Sequence, residues 1–596
     1  MWFQGIKYIL GKYKLHEEYI IFGKPTVFNG RINLAHPDVD KTDDLKLSSV
    51  GLQPYYNTTE KMKRSFLNSH AIEKMMATVI LQIQEPLPET LSPKLLSEHH
   101  LMPLTEALRN IHFPTNPDLL RRAQYRLKFE ELFYVQLNIL RYAKDRQRRY
   151  RGYIFEKVGD VFNTFYTKNL PFQLTGAQKR VLKEIRNDVG SGRQMNRLLQ
   201  GDVGSGKTLV ALMSMLLALD NGYQACMMAP TEILAEQHFR KIAAWLEPLG
   251  IRTAWLTGRL KTAEKNAALE AVASGEARIV IGTHALIQEG VKFANLGLAI
   301  VDEQHRFGVA QRLALRTRPE SALVPHLLML SATPIPRTLA MSYLADLDVS
   351  VIDELPPGRT PVVTKTVKTS RKDDVLSVVR SVVAQGRQVY WVCPLIEESD
   401  KLDLTPATVC RDDLQQRLPD LTVGLVHGAM PAAEKDAVMQ DFVSGLTQIL
   451  VATTVIEVGV DVPNATLMVI EHAERFGLAQ LHQLRGRVGR GAAQSACILL
   501  FGEDISPAGW ERLKAIRDTT DGFEIARRDL EMRGPGEFLG ERQSGTPLLR
   551  FADLDRDEAL LAAARRTADA WLEKDRDAAL RHAARWFKTA GEFLAA

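Results

Sequence analysis

Short, unbroken apolar runs that each end in a polar loop dominate the middle of the chain. Residues 225–228 run into Ala229-Pro230-Thr231-Glu232, and Ile279-Val280-Ile281 into Gly282-Thr283-His284. Leu298-Ala299-Ile300-Val301 runs into Asp302-Glu303-Gln304-His305, and residues 327–330 into Ser331-Ala332-Thr333-Pro334. Runs without polar alternation predict strands buried on both faces, and the helical stretches between them predict parallel sheets covered by helices. The same rhythm returns at 389–392, 423–426 and 449–452. Two α/β domains are expected, at 166–348 and 349–505. Ligands of such sheets bind at the carboxyl ends of the strands, where these polar loops lie. Ahead of them, residues 1–55 alternate short β-type runs with turns such as Asn29-Gly30, as in a piece of a small barrel. Residues 56–165 are helical with frequent prolines, a helical linker, and residues 506–596 are helical and charged.

Length changes the picture little: 596 residues need several cores. An apolar content of 45% and charged content of 25% are ordinary for a folded protein, and no apolar run reaches the ~18 residues that span a bilayer. The first ten residues lack a signal peptide's apolar centre. The four cysteines lie far apart without metal-ligand spacing and read as buried thiols in a reducing compartment, so a cytoplasmic location without membrane contact is expected. A net charge of +5 permits a polyanionic partner without demanding one.

Chemistry concentrates in the polar loops. Gly201-Asp202-Val203-Gly204-Ser205-Gly206-Lys207-Thr208 fits the phosphate-loop pattern. Its glycines let backbone N–H groups turn toward phosphate oxygens. Lys207 supplies a charge for the β and γ phosphates, Thr208 a hydroxyl for Mg²⁺, and the apolar helix that follows points its positive end at the anion. Asp302 suits the Mg²⁺ shell and Glu303 the polarising of an attacking water. ATP and Mg²⁺ are the expected cofactors. The second domain has no phosphate loop. It carries Gln483-Leu484-Arg485-Gly486-Arg487-Val488-Gly489-Arg490, whose arginines between glycines suit a clamp on a transferring phosphoryl group.

Taken in order, residues 201–208, 302–305, 331–333, 451–461 and 483–490 resemble the two RecA-like motor domains of superfamily 2 helicases. His305-Arg306-Phe307-Gly308-Val309, residues 331–338, residues 353–360 and Arg533-Gly534-Pro535-Gly536-Glu537-Phe538-Leu539-Gly540 narrow the resemblance to the RecG family. The resemblance implies that Gln178 reads the adenine and that Arg487 and Arg490 are the motor arginines. It also implies that Glu457, Gly459 and Asp461 couple the nucleotide site to DNA grip. Residues 505–545 resemble the family's hairpin and loop that turn motor closure into duplex movement, with Arg512, Arg533 and Gln543 at the matching positions. The transcription-repair coupling factor shares that element, so it separates duplex translocases from strand-separating helicases.

RecG proteins carry a helical region and the start of an OB-type barrel ahead of the matched segment. Residues 1–55 are therefore expected to be a partial OB-type wedge, with impaired fork specificity as a consequence. Phe28 and Arg31 are its nominees for DNA contact, against core or surface roles. The Arg121–Arg151 stretch has ten Lys/Arg and six interleaved aromatics. It reads equally as a phosphate track or as a helix with one packed and one solvated basic face. The implied function is an ATP-driven duplex DNA translocase that migrates Holliday junctions and regresses replication forks. It is expected to act as a monomer, with a single-stranded DNA-binding protein as a further partner. A coupling-factor type motor, a primosomal helicase, a preprotein motor and a silent DNA-binding module are the rivals. The first three call for a polymerase-binding domain, zinc-binding cysteines and a peptide-binding insertion, which the sequence does not display. The intact motor residues oppose the last.

Overall fold

The computed structural model of the chain describes its residues except 1–12, 14–15, 23–24, 29–30, 35–36, 42–51, 53, 60, 63–64, 66, 90, 171, 259, 289, 304–322, 333–346, 357–360, 395–404, 454–461, 490, 492, 534–548, 554–555, 580 and 582–596. Two compact units emerge, one of residues 1–137 with 549–588, the other of 138–548 with 589–596.

The first unit opens with strands β1 (Tyr19–Phe22), β2 (Pro25–Phe28), β3 (Arg31–Leu34) and β4 (Asp38–Lys41). They form two antiparallel pairs, β1 with β4 and β2 with β3, and the second pair sets Phe28 opposite Arg31. The side chains of those two residues lie outside the described set. Helices Ser69–Gln82, Pro93–Glu98, Leu104–His112 and Pro117–Arg149 follow. Prolines mark the starts of the last three, because proline fits the beginning of a helix, where its missing N–H costs nothing. Ser92 caps Pro93–Glu98 by accepting the Leu95 N–H.

On the long helix, the structure chooses packing for the aromatics it describes. Phe129, Phe133 and Tyr134 are buried, while Tyr125 is exposed. Arg126 is itself fully buried and pairs with Glu89 and Glu130 at 2.8 and 3.1 Å. An inward arginine held by two carboxylates is a structural group rather than a phosphate track.

The boundary expected at residue 506 does not enclose one domain. Helix Glu558–Lys574 belongs to the first unit, although helices Pro507–Asp518 and Gly522–Arg533 belong to the second. Its Trp571 ring lies 5.4 Å from that of Phe133, and Lys128 pairs with Asp557 at 2.9 Å. The Glu131 carboxylate accepts the backbone N–H groups of Arg550, Phe551 and Ala552. A helical sequence alone could not name this partner, because an amphipathic face fits any apolar neighbour of the right shape.

Among the described residues the second unit holds a short parallel pair, β5 (Arg151–Gly152) with β11 (Leu323–Val324), and two large parallel sheets. The first contains β6 (Asn196–Gly201), β7 (Gln224–Met228), β8 (Thr253–Leu256), β9 (Ile279–Gly282), β10 (Leu296–Val301), β12 (His326–Ser331) and β13 (Asp348–Ile352), in the order β13-β6-β12-β10-β7-β9-β8. Alternate residues feed opposite cores. Leu199, Ile281, Ile300 and Leu330 face one, and Leu198, Val280, Val301 and Met329 face the other. That is why the strands read as unbroken apolar runs. Helix Lys207–Asp220 is buried from Leu209 to Leu219, which accounts for its lack of a polar face.

Both expected limits of this domain shift. β13 pairs with β6, carrying the sheet past residue 348 to Ile352. Phe155 and Phe165, expected in the linker, are buried in the first motor core. Asp220 anchors that entry segment by accepting the N–H groups of Gly159, Val161 and Phe162.

The second sheet contains β14 (Val363–Lys368), β15 (Gln388–Val392), β16 (Val423–Val426), β17 (Ile449–Ala452), β18 (Ala465–Ile470) and β19 (Ala496–Phe501), in the order β14-β19-β18-β15-β17-β16. It too is enclosed between two cores. No helix among the described residues is long and apolar enough to cross a membrane.

Candidate active site

The carboxyl ends of β6 and β10 bring the strongest sequence motifs together. The loop after β6 turns through Gly204 and Gly206 at φ +79° and +89°, a left-handed region open to glycine. Helix Lys207–Asp220 begins there, with Thr208 half-buried in its first turn. Lys207 Nζ donates to the carbonyls of Gly201 and Asp202 at 2.7 and 2.9 Å. The fully buried Gln178 uses both ends of its amide. Its Oε1 accepts the Thr175 N–H, completing a capping box, and its Nε2 donates to Ser205 O at 2.9 Å. Gln178 thus braces the phosphate loop in this structure, and reading an adenine requires its amide to exchange a partner.

Asp302 and Glu303 follow β10. Burial opposes the Asp302 charge. The hydrogen bond and charge of His238, with Lys207 and the Glu303 N–H, nonetheless hold its carboxyl below the usual carboxylate range. His238 Nε2 lies 2.8 Å from Asp302 Oδ2. Burial and the neighbouring Asp302 charge push the Glu303 carboxyl up, against the pull of Lys207 and Arg487. Glu303 also adopts φ +50°, a strained conformation for a residue with a side chain. One carboxylate kept ionised beside another of raised proton affinity is an arrangement suited to cation binding next to proton acceptance.

Arg487 reaches this cluster from the second sheet's side of the unit, following helix Leu478–Arg485. On that helix His482 Nε2 lies 3.1 Å from Asp202 Oδ1. Arg485, three residues on, donates to the carbonyls of Ile516, Thr519 and Thr520, at the turn joining helices Pro507–Asp518 and Gly522–Arg533. Arg512 of the same hairpin donates to Glu474 O.

The structure therefore gathers Gln178, residues 201–208, Asp302, Glu303 and Arg487. Arg512 and the backbone of Arg533 lie on the helical hairpin. Asp461, Arg490 and Gln543, with Glu457 and Gly459, fall outside the described residues, as does the Arg533 side chain. Sequence reading missed His238, His482 and Arg485. It also missed Glu354, which accepts the Ala177 N–H at the start of the Gln178 helix, and the neighbouring Asp353–Arg180 pair at 2.8 Å. Asp353 and Glu354 were legible only as part of a family segment, and the histidines carried no spacing signal.

Comparison with known proteins decides the family. The DEAD/DEAH box helicase family matches residues 175–342, the helicase conserved C-terminal domain 371–492, and domain 3 of the ATP-dependent DNA helicase RecG, C-terminal part, 519–591. The RecG of Escherichia coli O157:H7 is 46% identical over 94% of this chain and 78% of its own length. The chain belongs to the RecG family of ATP-dependent DNA helicases. The RecG of Acidithiobacillus ferridurans is 48% identical over 94% of the chain and 80% of its own length. A solved structure of RecG bound to a three-way DNA junction superposes with a TM-score of 0.71 at 39% identity, covering 94% of this chain and 73% of that one. As a RecG-family member the chain is an ATP-dependent helicase, and its two large parallel sheets are the RecA-like motor domains.

Proposed function

We propose that the chain hydrolyses ATP to move along duplex DNA at branch points, driving Holliday-junction migration and replication-fork regression. The observation that carries this reading is the meeting, in one unit, of the phosphate loop, the Asp302–Glu303 pair and Arg487, with Arg485 of the same arginine segment tied to the hairpin that precedes the RecG-specific loop. The residues fit the nucleotide: two left-handed glycines let the loop backbone turn inward toward a phosphate, and Asp302 keeps its charge despite burial. Lys207 and the loop amides would hold the phosphates, and Thr208 and Asp302 the Mg²⁺. ATP, when bound, supplies the phosphoryl group that passes to water. Glu303 orients that water and accepts its proton, and Arg487 with Arg490 offsets the growing phosphoryl charge. Asp461 couples this site to DNA grip. Arg512, Arg533 and Gln543 pass motor closure to the duplex, and the strands of residues 19–41 serve as the wedge, with Phe28 and Arg31 as the nominated DNA contacts.

The working form is a cytoplasmic monomer, with a single-stranded DNA-binding protein as its protein partner. The test is ATPase activity with forked, linear duplex and single-stranded DNA at one salt concentration, because phosphate contacts make affinity salt-dependent. Stimulation is expected to be strongest with forked DNA, the outcome opposite to the impaired fork specificity that a partial wedge would leave. Equal stimulation by every DNA, or none, overturns the branch-specific reading.

A further inference from the structure

The phosphate loop is held from outside as well as from within. Lys207 occupies the carbonyls of Gly201 and Asp202, and the Asp202 carboxylate accepts the adjacent Val203 N–H at 2.6 Å. The same carboxylate faces His482 Nε2 at 3.1 Å, and the His482 side chain is 4% exposed. One turn further along the chain, Gly486 approaches Val203 so closely that a Cβ at 486 would lie 2.8 Å from the Val203 Cβ. The segment that ends in Arg487 thus touches the loop at two successive residues, a hydrogen bond at Asp202 and a bare backbone against Val203.

These contacts matter most once Lys207 turns toward a phosphate. Its ammonium then leaves the Gly201 and Asp202 carbonyls, and the loop backbone loses an internal tie. Among the described residues, His482 is the side chain from the second motor domain that still grips Asp202. Its helix leads within five residues to Arg487, whose charge acts on Glu303.

We infer that His482 is a positioning residue for ATP hydrolysis, acting through Asp202 to set the phosphate loop and the Arg487 segment at a fixed separation. It touches neither reacting atoms nor nucleotide in this role. The first motor domain binds ATP with its own loop, so the tie serves turnover more than binding. The arginine segment read from the sequence begins at Gln483 and leaves out this position, directly before it.

This inference rests on the ATPase reading above, and the test separates the two. Steady-state DNA-stimulated ATPase is measured on the full chain for wild type, His482→Leu, His482→Gln, Asp202→Asn and the double variant His482→Leu with Asp202→Asn. Glutamine places an N–H near the position of the histidine Nε2, so it keeps the donor and loses the ring. For His482→Leu, kcat should fall about tenfold, the scale of one charge-assisted hydrogen bond, while KM for ATP stays within about twofold. His482→Gln should recover most of that loss, and His482→Leu should cost little more in the Asp202→Asn background. A wild-type kcat in His482→Leu, a loss unrelieved by glutamine, a rise in KM that accounts for the effect, or full additivity in the double variant each overturns the inference. Absence of ATPase in the wild-type chain would instead defeat the functional reading itself.

Discussion

His238 Nε2 stands 2.8 Å from Oδ2 of Asp302, joining helix Glu232–Leu246 to the carboxyl end of β10. If Asp302 holds Mg²⁺ as proposed, a partner behind such a carboxylate fixes its orientation, and losing one commonly costs about 10- to 100-fold in affinity or activity. His238→Ala should therefore raise the Mg²⁺ concentration needed for half-maximal ATPase, with a smaller effect on maximal rate at saturating Mg²⁺. An unchanged Mg²⁺ titration would mean that the contact only packs the helix.

In the proposed function Glu303 accepts a proton and Lys207 holds phosphate charge, two roles that separate in experiment. Glu303→Gln should bind ATP yet turn it over at least ~10²-fold more slowly, because the amide cannot take the proton. Lys207→Ala should lose both binding and turnover. Nucleotide binding measured apart from steady-state hydrolysis distinguishes them, and normal turnover by Glu303→Gln would remove its assigned role.

Arg485 satisfies three main-chain carbonyls at the hairpin turn from a buried position. Arg485→Met keeps much of the bulk but leaves those carbonyls without donors. It should destabilise the unit by about 2–3 kcal/mol, seen as a lower urea midpoint. Junction unwinding should fall more than DNA-stimulated ATPase, since the hairpin loses its tie to the arginine helix. Arg533→Ala and Gln543→Ala should likewise spare ATPase and impair unwinding. Parallel losses in both activities would make the hairpin a support rather than a transmission element.

His326 is buried in β12. Its Nδ1 accepts the Met195 N–H and its Nε2 donates to Tyr153 O. Burial pulls its pKa down to about 4. The folded state thus binds the proton less readily than the unfolded chain does. The stability it contributes is complete above the ordinary histidine pKa and drains away as pH falls toward 4. Between about pH 7.5 and about pH 5 the loss from this group should be about 2 kcal/mol. Urea midpoints at the two pH values should differ more for wild type than for His326→Gln, which does not titrate. Equal differences would show that His326 is not the group responsible.

Much of the motor was legible along the chain for a physical reason. A strand buried on both faces must be apolar at every position, so β7, β9, β10, β12, β15 and β17 could be placed within a residue or two from their runs alone, and the edge strand β16 from its Val423-Gly424-Leu425-Val426 run. The interior strands β6, β18 and β19 went unnamed, and so did the edge strands β8, β13 and β14. Thr253–Leu256, Asp348–Ile352 and Val363–Lys368 are partly exposed and carry polar residues, so they look like loop or helix in isolation. The phosphate loop was legible because its glycines and Lys207 are required in fixed spacing by the backbone itself.

The sequence by itself determined two parallel motor sheets, the phosphate loop, the Asp302–Glu303 pair and the arginine segment, since each depends on neighbours a few residues away. Only the tertiary structure decided that His238 holds Asp302, that His482 grips Asp202, that Arg485 caps the hairpin turn and that helix Glu558–Lys574 packs in the N-terminal unit. Those pairs lie 64, 280, 31 and hundreds of residues apart. A buried histidine or arginine announces no partner in one dimension. Its partner is whichever acceptor the packed sheets and helices bring within hydrogen-bonding distance, and the cost of leaving a buried polar group unpaired makes that choice strict.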